Sequence, residues 1–166
     1  MEPPPAVGGR DILVEHCMVW NDKVRALGIA GESRGEIYNI IFRRCTVLHS
    51  LADWAAEVGA LCVVLCDAGT VHDIVFEQID VLDERANGIN CMLFRDRWST
   101  DTQAGHIRAV CFRDITLPKN VPVRLWGYDA AHRVEDILLQ NVHMEEAEAL
   151  WLDSNVYTCL LYTSPS

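Results

Sequence analysis

The amino-acid sequence predicts an all-β solenoid, a parallel β-helix of about five coils, on three observations. A nine-residue pattern recurs five times between residues 11 and 144. Its apolar positions come in pairs two residues apart, the spacing at which a strand shows alternate side chains to a core. Between successive copies lies a further short apolar stretch, set off by residues rich in Gly, Asp, Ser and Arg. Each copy therefore supplies two or three strands joined by bends.

The copies run from Asp11 to Val19 (DILVEHCMV), Asn39 to Val47 (NIIFRRCTV), Asp73 to Val81 (DIVFEQIDV), Ala109 to Leu117 (AVCFRDITL) and Asp136 to Met144 (DILLQNVHM). In register, the second position reads Ile, Ile, Ile, Val, Ile and the fourth Val, Phe, Phe, Phe, Leu. The seventh reads Cys, Cys, Ile, Ile, Val and the ninth Val, Val, Val, Leu, Met. Four apolar columns thus hold across the repeat, and the polar pair at the fifth and sixth positions marks a bend. The first position, Asp, Asn, Asp, Ala, Asp, suits a turn column of short side chains that bond nearby backbone. The intervening strands are expected at Ala26 to Ala30, Ala60 to Cys66, Ile89 to Phe94, Val123 to Trp126 and Ala149 to Leu152.

Successive copies start 28, 34, 36 and 27 residues apart. A leucine-rich repeat also mixes apolar residues with Asn or Cys, but it needs roughly 20 to 29 residues per repeat and Leu where this chain has Ile, Val and Phe. Like residues of a parallel β-helix stack about 4.8 Å apart, so five coils would stand about 24 Å tall.

The 166 residues are half hydrophobic, enough to bury roughly 70% of the unfolded surface. With 14 Lys plus Arg against 24 Asp plus Glu, the net charge of −10 excludes the basic footprint of a nucleic-acid binder. No apolar run approaches the roughly 20 residues that span a bilayer, so no membrane partner is expected. Residues 1–5, MEPPP, lack the basic and apolar regions of a signal peptide. Seven cysteines, at 17, 45, 62, 66, 91, 111 and 159, show no two-residue zinc spacing and are expected to be small core residues. The histidines at 16, 49, 72, 106, 132 and 143 show no metal or nucleophile–base spacing and are expected at the solvated surface. Asp80, Asp83 and Glu84 fall on one turn and are expected to be a solvated charge run rather than a Ca²⁺ site. No cofactor and no metal are expected.

The coil motif, Asn/Asp-Ile-x-Phe/Val-x-x-Cys-x-Val followed by a Gly-bounded strand, resembles the pectin-lyase-like right-handed parallel β-helices. Within them it is most similar to the glycoside hydrolases of the polygalacturonase group (family 28) and the dextranase group (family 49). The stretch from Asp11 to Val47 carries the resemblance best, through Val19-Trp20-Asn21-Asp22, Arg25 to Ser33 and Ile37 to Cys45. The resemblance implies hydrolysis of a glycosidic bond with inversion, a polysaccharide or oligosaccharide as partner, a monomer, and a secreted or periplasmic parent. Family 28 enzymes share an Asn-x-Asp, an Asp-Asp pair, a Gly-His-Gly and an Arg-x-Lys on successive coils. Here the Gly-His-Gly segment reads Arg25-Ala26-Leu27-Gly28, Ala60 to Cys66 has no Arg-x-Lys, and no Asp-Asp pair stands anywhere in the chain. In that group the pair lies one coil before the Gly-His-Gly position, so the resemblance puts the main catalytic residues just upstream of Met1. Inverting hydrolysis needs two carboxyls roughly 6.5 to 9.5 Å apart.

Residues 8–156 are therefore expected to be a partial β-helix domain, the C-terminal part of a carbohydrate-active enzyme, itself inactive for want of the Asp pair. Residues 157–166 break the repeat and resemble translated adapter read-through, and are set apart as a non-native tail. A non-catalytic glycan-binding or adhesin β-helix and a polysaccharide lyase are the rival readings.

Two groups of residues are candidates for a site. Asp22 is the one candidate catalytic carboxylate within the chain, with Arg25 and Glu32 as substrate ligands near it. The second group is expected to point outward from later strands: Asp67, Arg95, Asp96 and Trp98, then Arg124, Trp126 and Tyr128. If Val123 and Leu125 face the core, alternation sends Arg124 and Trp126 outward, where an indole can carry a pyranose ring. Trp151 lies outward by the same count.

Overall fold

A computed structural model describes residues 8–52, 58–119, 121–145, 147 and 149–163. These contain twelve strands: β1 (Arg10–Glu15), β2 (Met18–Asn21), β3 (Leu27–Ile29), β4 (Glu36–Ser50), β5 (Leu61–Leu65), β6 (Thr70–Val81), β7 (Ile89–Leu93), β8 (His106–Leu117), β9 (Val123–Trp126), β10 (Val134–Met144), β11 (Leu152–Ser154) and β12 (Thr158–Thr163). No described residue is helical.

The chain alternates between two all-parallel sheets. The larger, seven-stranded sheet has the order β1-β4-β6-β8-β10-β12, with β2 also on β4. In the smaller sheet the order is β11-β9-β7-β5-β3. Each return to a sheet adds the next neighbour along it, in the order of the sequence repeat.

Register follows the repeat. Ile12 pairs with Ile40, Ile40 with Ile74, Ile74 with Val110 and Val110 with Ile137. The fourth-position column brings Phe42, Phe76 and Phe112 face to face, with ring centroids 4.8 and 4.7 Å apart. These columns pack against Leu61, Leu65, Ile89 and Leu125 of the smaller sheet in one core. Ile40 and Ile74 are 4% and 0% exposed, whereas their equivalent Ile12, on edge strand β1, is 44% exposed.

Two bends shape each long strand, and both fall where the repeat is polar. Among the described residues, the ten non-glycine residues with positive φ are the first and sixth positions of the five copies: Asp11 and His16, Asn39 and Arg44, Asp73 and Gln78, Ala109 and Asp114, Asp136 and Asn141. Their φ values run from 51° to 57°. This left-handed conformation costs most residues about 1–2 kcal/mol, and Asn and Asp tolerate it best. Side-chain ladders between coils offset that cost: Asn39 Nδ2 donates to Asp11 Oδ1 at 2.6 Å, and Asn141 Nδ2 to Asp114 Oδ1 at 2.7 Å. Beside them Arg43 pairs with Glu15 at 2.7 Å and Arg113 with Glu77. Glycines precede the long strands for a steric reason. A Cβ on Gly69 would lie 2.4 Å from the Ser33 carbonyl oxygen, and one on Gly105 2.3 Å from that of Gly69.

The last short strand departs from expectation, at Leu152–Ser154 rather than Ala149 to Leu152, because pairing with β9 sets Leu152 beside Val123. Thr158 to Thr163, within the segment set apart from the repeat, pair in parallel with Val134 to Gln140.

Candidate functional site

Strand alternation gives the smaller sheet two apolar faces. Leu61, Val63 and Leu65 of β5 and Ile89, Cys91 and Leu93 of β7 point into the core. Cys62, Val64 and Met92 point the other way and form a separate cluster with Ala30, Phe94 and Trp126. Near-continuous apolar runs are what a parallel strand covered on both sides carries.

A groove of about 650 Å³ lies on this outer face, lined by Arg25, Glu32, Met92, Phe94, Asp96 and Trp98 among others, with Cys62 and Cys66 in its wall. Three of the expected site residues, Arg25, Glu32 and Asp96, thus meet in one groove with Trp98, although they come from different coils.

The turn after β2 places Arg25. Asn21 Oδ1 accepts the backbone NH of Lys23 at 2.9 Å and of Val24 at 3.0 Å, while Asn21 Nδ2 donates to the Arg25 carbonyl at 3.1 Å. Arg25 lines the groove with Cys62, close enough for its charge to act on the thiol, and its Nε is buried without a hydrogen-bond partner among the described residues. Burial pushes the Cys62 thiol up to about 12, against the pull of the Arg25 charge. At the far end, Asp96 Oδ1 accepts the Trp98 NH at 2.6 Å and Ser99 Oγ accepts the Asp96 NH at 3.0 Å. This tight turn sets the Trp98 indole at the rim, with the Arg97 guanidinium 4.6 Å from its ring centroid. The Cys66 thiol is raised by burial, against a hydrogen bond with Ser99, and further by the charges of Asp67, Asp96 and Glu32.

Other candidates stand elsewhere. Asp67, expected to point outward, is 0% exposed. Its carboxylate accepts the NH groups of Thr100 at 2.6 Å and Asp101 at 2.8 Å and the Thr100 hydroxyl at 2.9 Å. Burial alone would raise this carboxyl, but those hydrogen bonds and Arg34 outweigh it and hold it below the ordinary range. Asp67 anchors a loop; the backbone bend after β5 turns it away from the groove. Arg95 is half-buried with Nη1 lacking a partner among the described residues, and does not line the groove. Arg124 and Trp126 lie on the outer face, as alternation requires, and both meet Asp153: Arg124 Nε at 3.4 Å, and Trp126 Nε1 donating at 3.1 Å. Trp98, Tyr128 and Trp151 are exposed.

The catalytic position expected upstream of Met1 lies outside the described residues, as does Met1 itself, since these begin at Gly8. Asp22, the candidate within the chain, does not line the groove. It is an exposed carboxylate that accepts from Trp20 Nε1 at 2.9 Å and faces His49 Nε2 at 3.0 Å. His49, expected at the surface, is 4% exposed, and its Nδ1 lies 2.5 Å from Asp83 Oδ2. Whereas Asp80 and Glu84 are exposed, Asp83 is buried as well, which corrects its place in the expected solvated charge run. Burial pushes this carboxyl up, yet the Arg85 NH and guanidinium, the Ser50 NH and His49 together bring it down to about 2. No sequence signal placed this cluster: β2 pairs with the end of β4, and a register shift after Val19 sets Trp20 beside His49 and Asn21 beside Ser50. His72 is likewise buried, between Asp73 at 2.6 Å and Glu36 at 3.0 Å, and stacks on Tyr38.

All seven cysteines are free thiols, and among the described residues no group of three or more His, Cys, Asp or Glu is placed to hold a metal ion. No family model, no curated protein and no solved structure matches the chain.

Proposed function

We propose that this chain is a right-handed parallel β-helix of a carbohydrate-active protein, and that the groove on the outer face of its smaller sheet binds an oligosaccharide. The observation that carries this reading is the groove's composition. Trp98, Phe94 and Met92 supply an apolar face, while Arg25, Glu32 and Asp96 border it with directional hydrogen-bonding groups. A pyranose ring has the matching chemistry, an apolar CH face with hydroxyls around its edge.

Alternation between two parallel sheets with one neighbour added per return supports the helix, and a crossover between parallel strands of one sheet is right-handed in about 98% of cases. The coil motif's resemblance to the polygalacturonase and dextranase groups supports a glycoside as ligand, and inverting hydrolysis as the reaction of proteins that carry the Asp-Asp pair. This chain has no such pair, so binding without turnover is its own activity.

Calorimetric titration with dextran oligosaccharides and with oligogalacturonates tests the reading. Arg25→Ala is expected to weaken binding about 10- to 150-fold, as loss of a hydrogen bond to a charged group does. Trp98→Ala should weaken it about 2- to 13-fold through the lost ring contact. Binding that neither substitution alters, or no binding to any glycan of a broad array, refutes it. Release of reducing sugar by the purified chain would refute the absence of turnover.

A further inference from the structure

We propose that Cys17 and Cys45 form a disulfide under oxidising conditions, one that staples the first coil of the solenoid to the second. The bridge lies at the edge of the larger sheet and is independent of the glycan reading of the groove.

Cys17 and Cys45 hold the seventh position of the first two copies. Glu15 pairs with Arg43 and Met18 with Thr46, and the same register sets Cys17 beside Cys45. The Cys17 carbonyl accepts the Thr46 NH at 2.9 Å, which holds the two strands together at this point. Paired strands lie about 4.8 Å apart, within the roughly 4.4–6.8 Å between Cα atoms that a disulfide spans.

Both side chains turn inward: Cys45 belongs to the core and Cys17 packs against it. The thiols share one local arrangement, Cys17 Sγ donating to the Glu15 carbonyl at 3.3 Å and Cys45 Sγ to that of Arg43 at 3.2 Å. Cys45 Sγ also lies 3.9 Å from the Val14 carbonyl oxygen, so it leans toward the first coil. Burial pushes the Cys45 thiol up, and the neighbouring Cys17 side chain, through its charge and a hydrogen bond, pushes it further. Thiols are weak donors, so little is lost when these contacts give way to an S–S bond.

The other cysteines lack a partner in reach on the same face. Cys62 and Cys91 lie on neighbouring strands but point to opposite sides of the smaller sheet. Cys62 and Cys66 follow one another along a single extended segment, about 13 Å apart. Cys111 pairs with Val75 and Leu138, and Cys159 is exposed on β12.

Access orders the chemistry, since Cys17 is half-buried and Cys45 is 1% exposed. The oxidant is a low-molecular-weight disulfide such as glutathione disulfide. The Cys17 thiolate attacks one of its sulfurs, forming a mixed disulfide and expelling one thiolate. Cys45, giving up its proton, then attacks the Cys17 sulfur and expels the second. The two cysteines lose two electrons and two protons, and the oxidant becomes two thiols.

The bridge falls where the sheet has an edge. Among the described residues β1 and β2 pair with β4 alone, and Ile12, Leu13 and Met18 are exposed there. A link from residue 17 to residue 45 closes the chain between them into a loop, which removes conformational freedom from the opened coil and disfavours its fraying.

The test uses the full chain carrying Cys159→Ser, which removes the exposed thiol and with it links between molecules. The protein is incubated in native buffer with glutathione disulfide, digested, and its linked peptides are sequenced by mass spectrometry. One intramolecular link is expected, Cys17 to Cys45, reversed by dithiothreitol and absent when Cys17→Ser is added. Amide hydrogen exchange then compares oxidised with reduced protein. Residues 10–21 are expected to exchange about tenfold more slowly or better once linked, with β8 unchanged, and Cys17→Ser should show no difference on oxidation. Cys17 is only half-buried, so its replacement stays informative should a variant at the buried Cys45 fold poorly. Cysteines 17 and 45 that remain thiols or each carry a separate glutathione, a different pair linked instead, a link that forms only in urea, or exchange at residues 10–21 that the link leaves unaltered would each overturn the proposal.

Discussion

Ala109 occupies the first position of the fourth copy, where the other four copies carry Asp11, Asn39, Asp73 and Asp136, and it shares their left-handed backbone at φ 51°. Alanine bears the cost of that conformation, about 1–2 kcal/mol, with no side-chain hydrogen bond in return. Ala109→Asn supplies a residue that tolerates the conformation and an amide placed between the Asp73 and Asp136 carboxylates of neighbouring coils. Asn39 shows what such an amide does, donating to Asp11 at 2.6 Å. One net hydrogen bond adds about 0.5–1.5 kcal/mol, so with part of the backbone strain relieved the gain is about 1–2 kcal/mol. For a chain of this size that corresponds to a rise in Tm of about 2–8 °C. Ala109→Val should act the other way, since a β-branched residue resists positive φ. Thermal and urea unfolding followed by far-UV circular dichroism read both variants. Equal stability of the Asn and Val variants, or an Asn variant no more stable than wild type, would refute the argument that this column is chosen for its backbone conformation.

Two further predictions concern stability. The Asp83 carboxyl sits at about 2 in the folded chain against 3.8 as its ordinary value, so it stabilises the fold above pH 4, and that contribution disappears as pH falls from 3.8 through 2. Asp83→Asn should therefore cost about 2 kcal/mol at pH 7 and flatten the acid limb in urea titrations between pH 2 and 4, where an unchanged slope would contradict it. Gly105→Ala should destabilise the fold by about 1–3 kcal/mol, because its Cβ would meet the carbonyl oxygens of Gly69 at 2.3 Å and Asp67 at 2.7 Å. A urea midpoint equal to wild type would show that the coils can part at this point without cost.

Legibility in the sequence tracked how local each cause is. The short strands at Leu61–Leu65, Ile89–Leu93 and Val123–Trp126 fall inside the expected stretches, because alternation and β-branched composition act over a few residues. The bends were legible too: the polar pair of the repeat ends in each case on a residue with positive φ. Asp67 was misread because alternation was carried past the end of β5, where the chain bends and turns its carboxylate toward the NH groups of residues 100 and 101. His49 and Asp83 were misread because 34 residues separate them, and only the stacking of one coil on the next makes them neighbours. The groove was half legible, with Arg25, Glu32 and Asp96 named singly and no sequence signal that they converge.

By itself the sequence determined an all-β chain of parallel strands, the register of its columns and the residues of its core, because a repeat in register needs only strand periodicity and like residues stacking on like. Tertiary structure alone decided which polar residues are buried and which share a groove. Coil lengths vary from 27 to 36 residues, so the turns between strands follow no common pattern. The environment of His49, Asp67, Asp83 or Arg25 is set by whichever segment of the neighbouring coil packs against it.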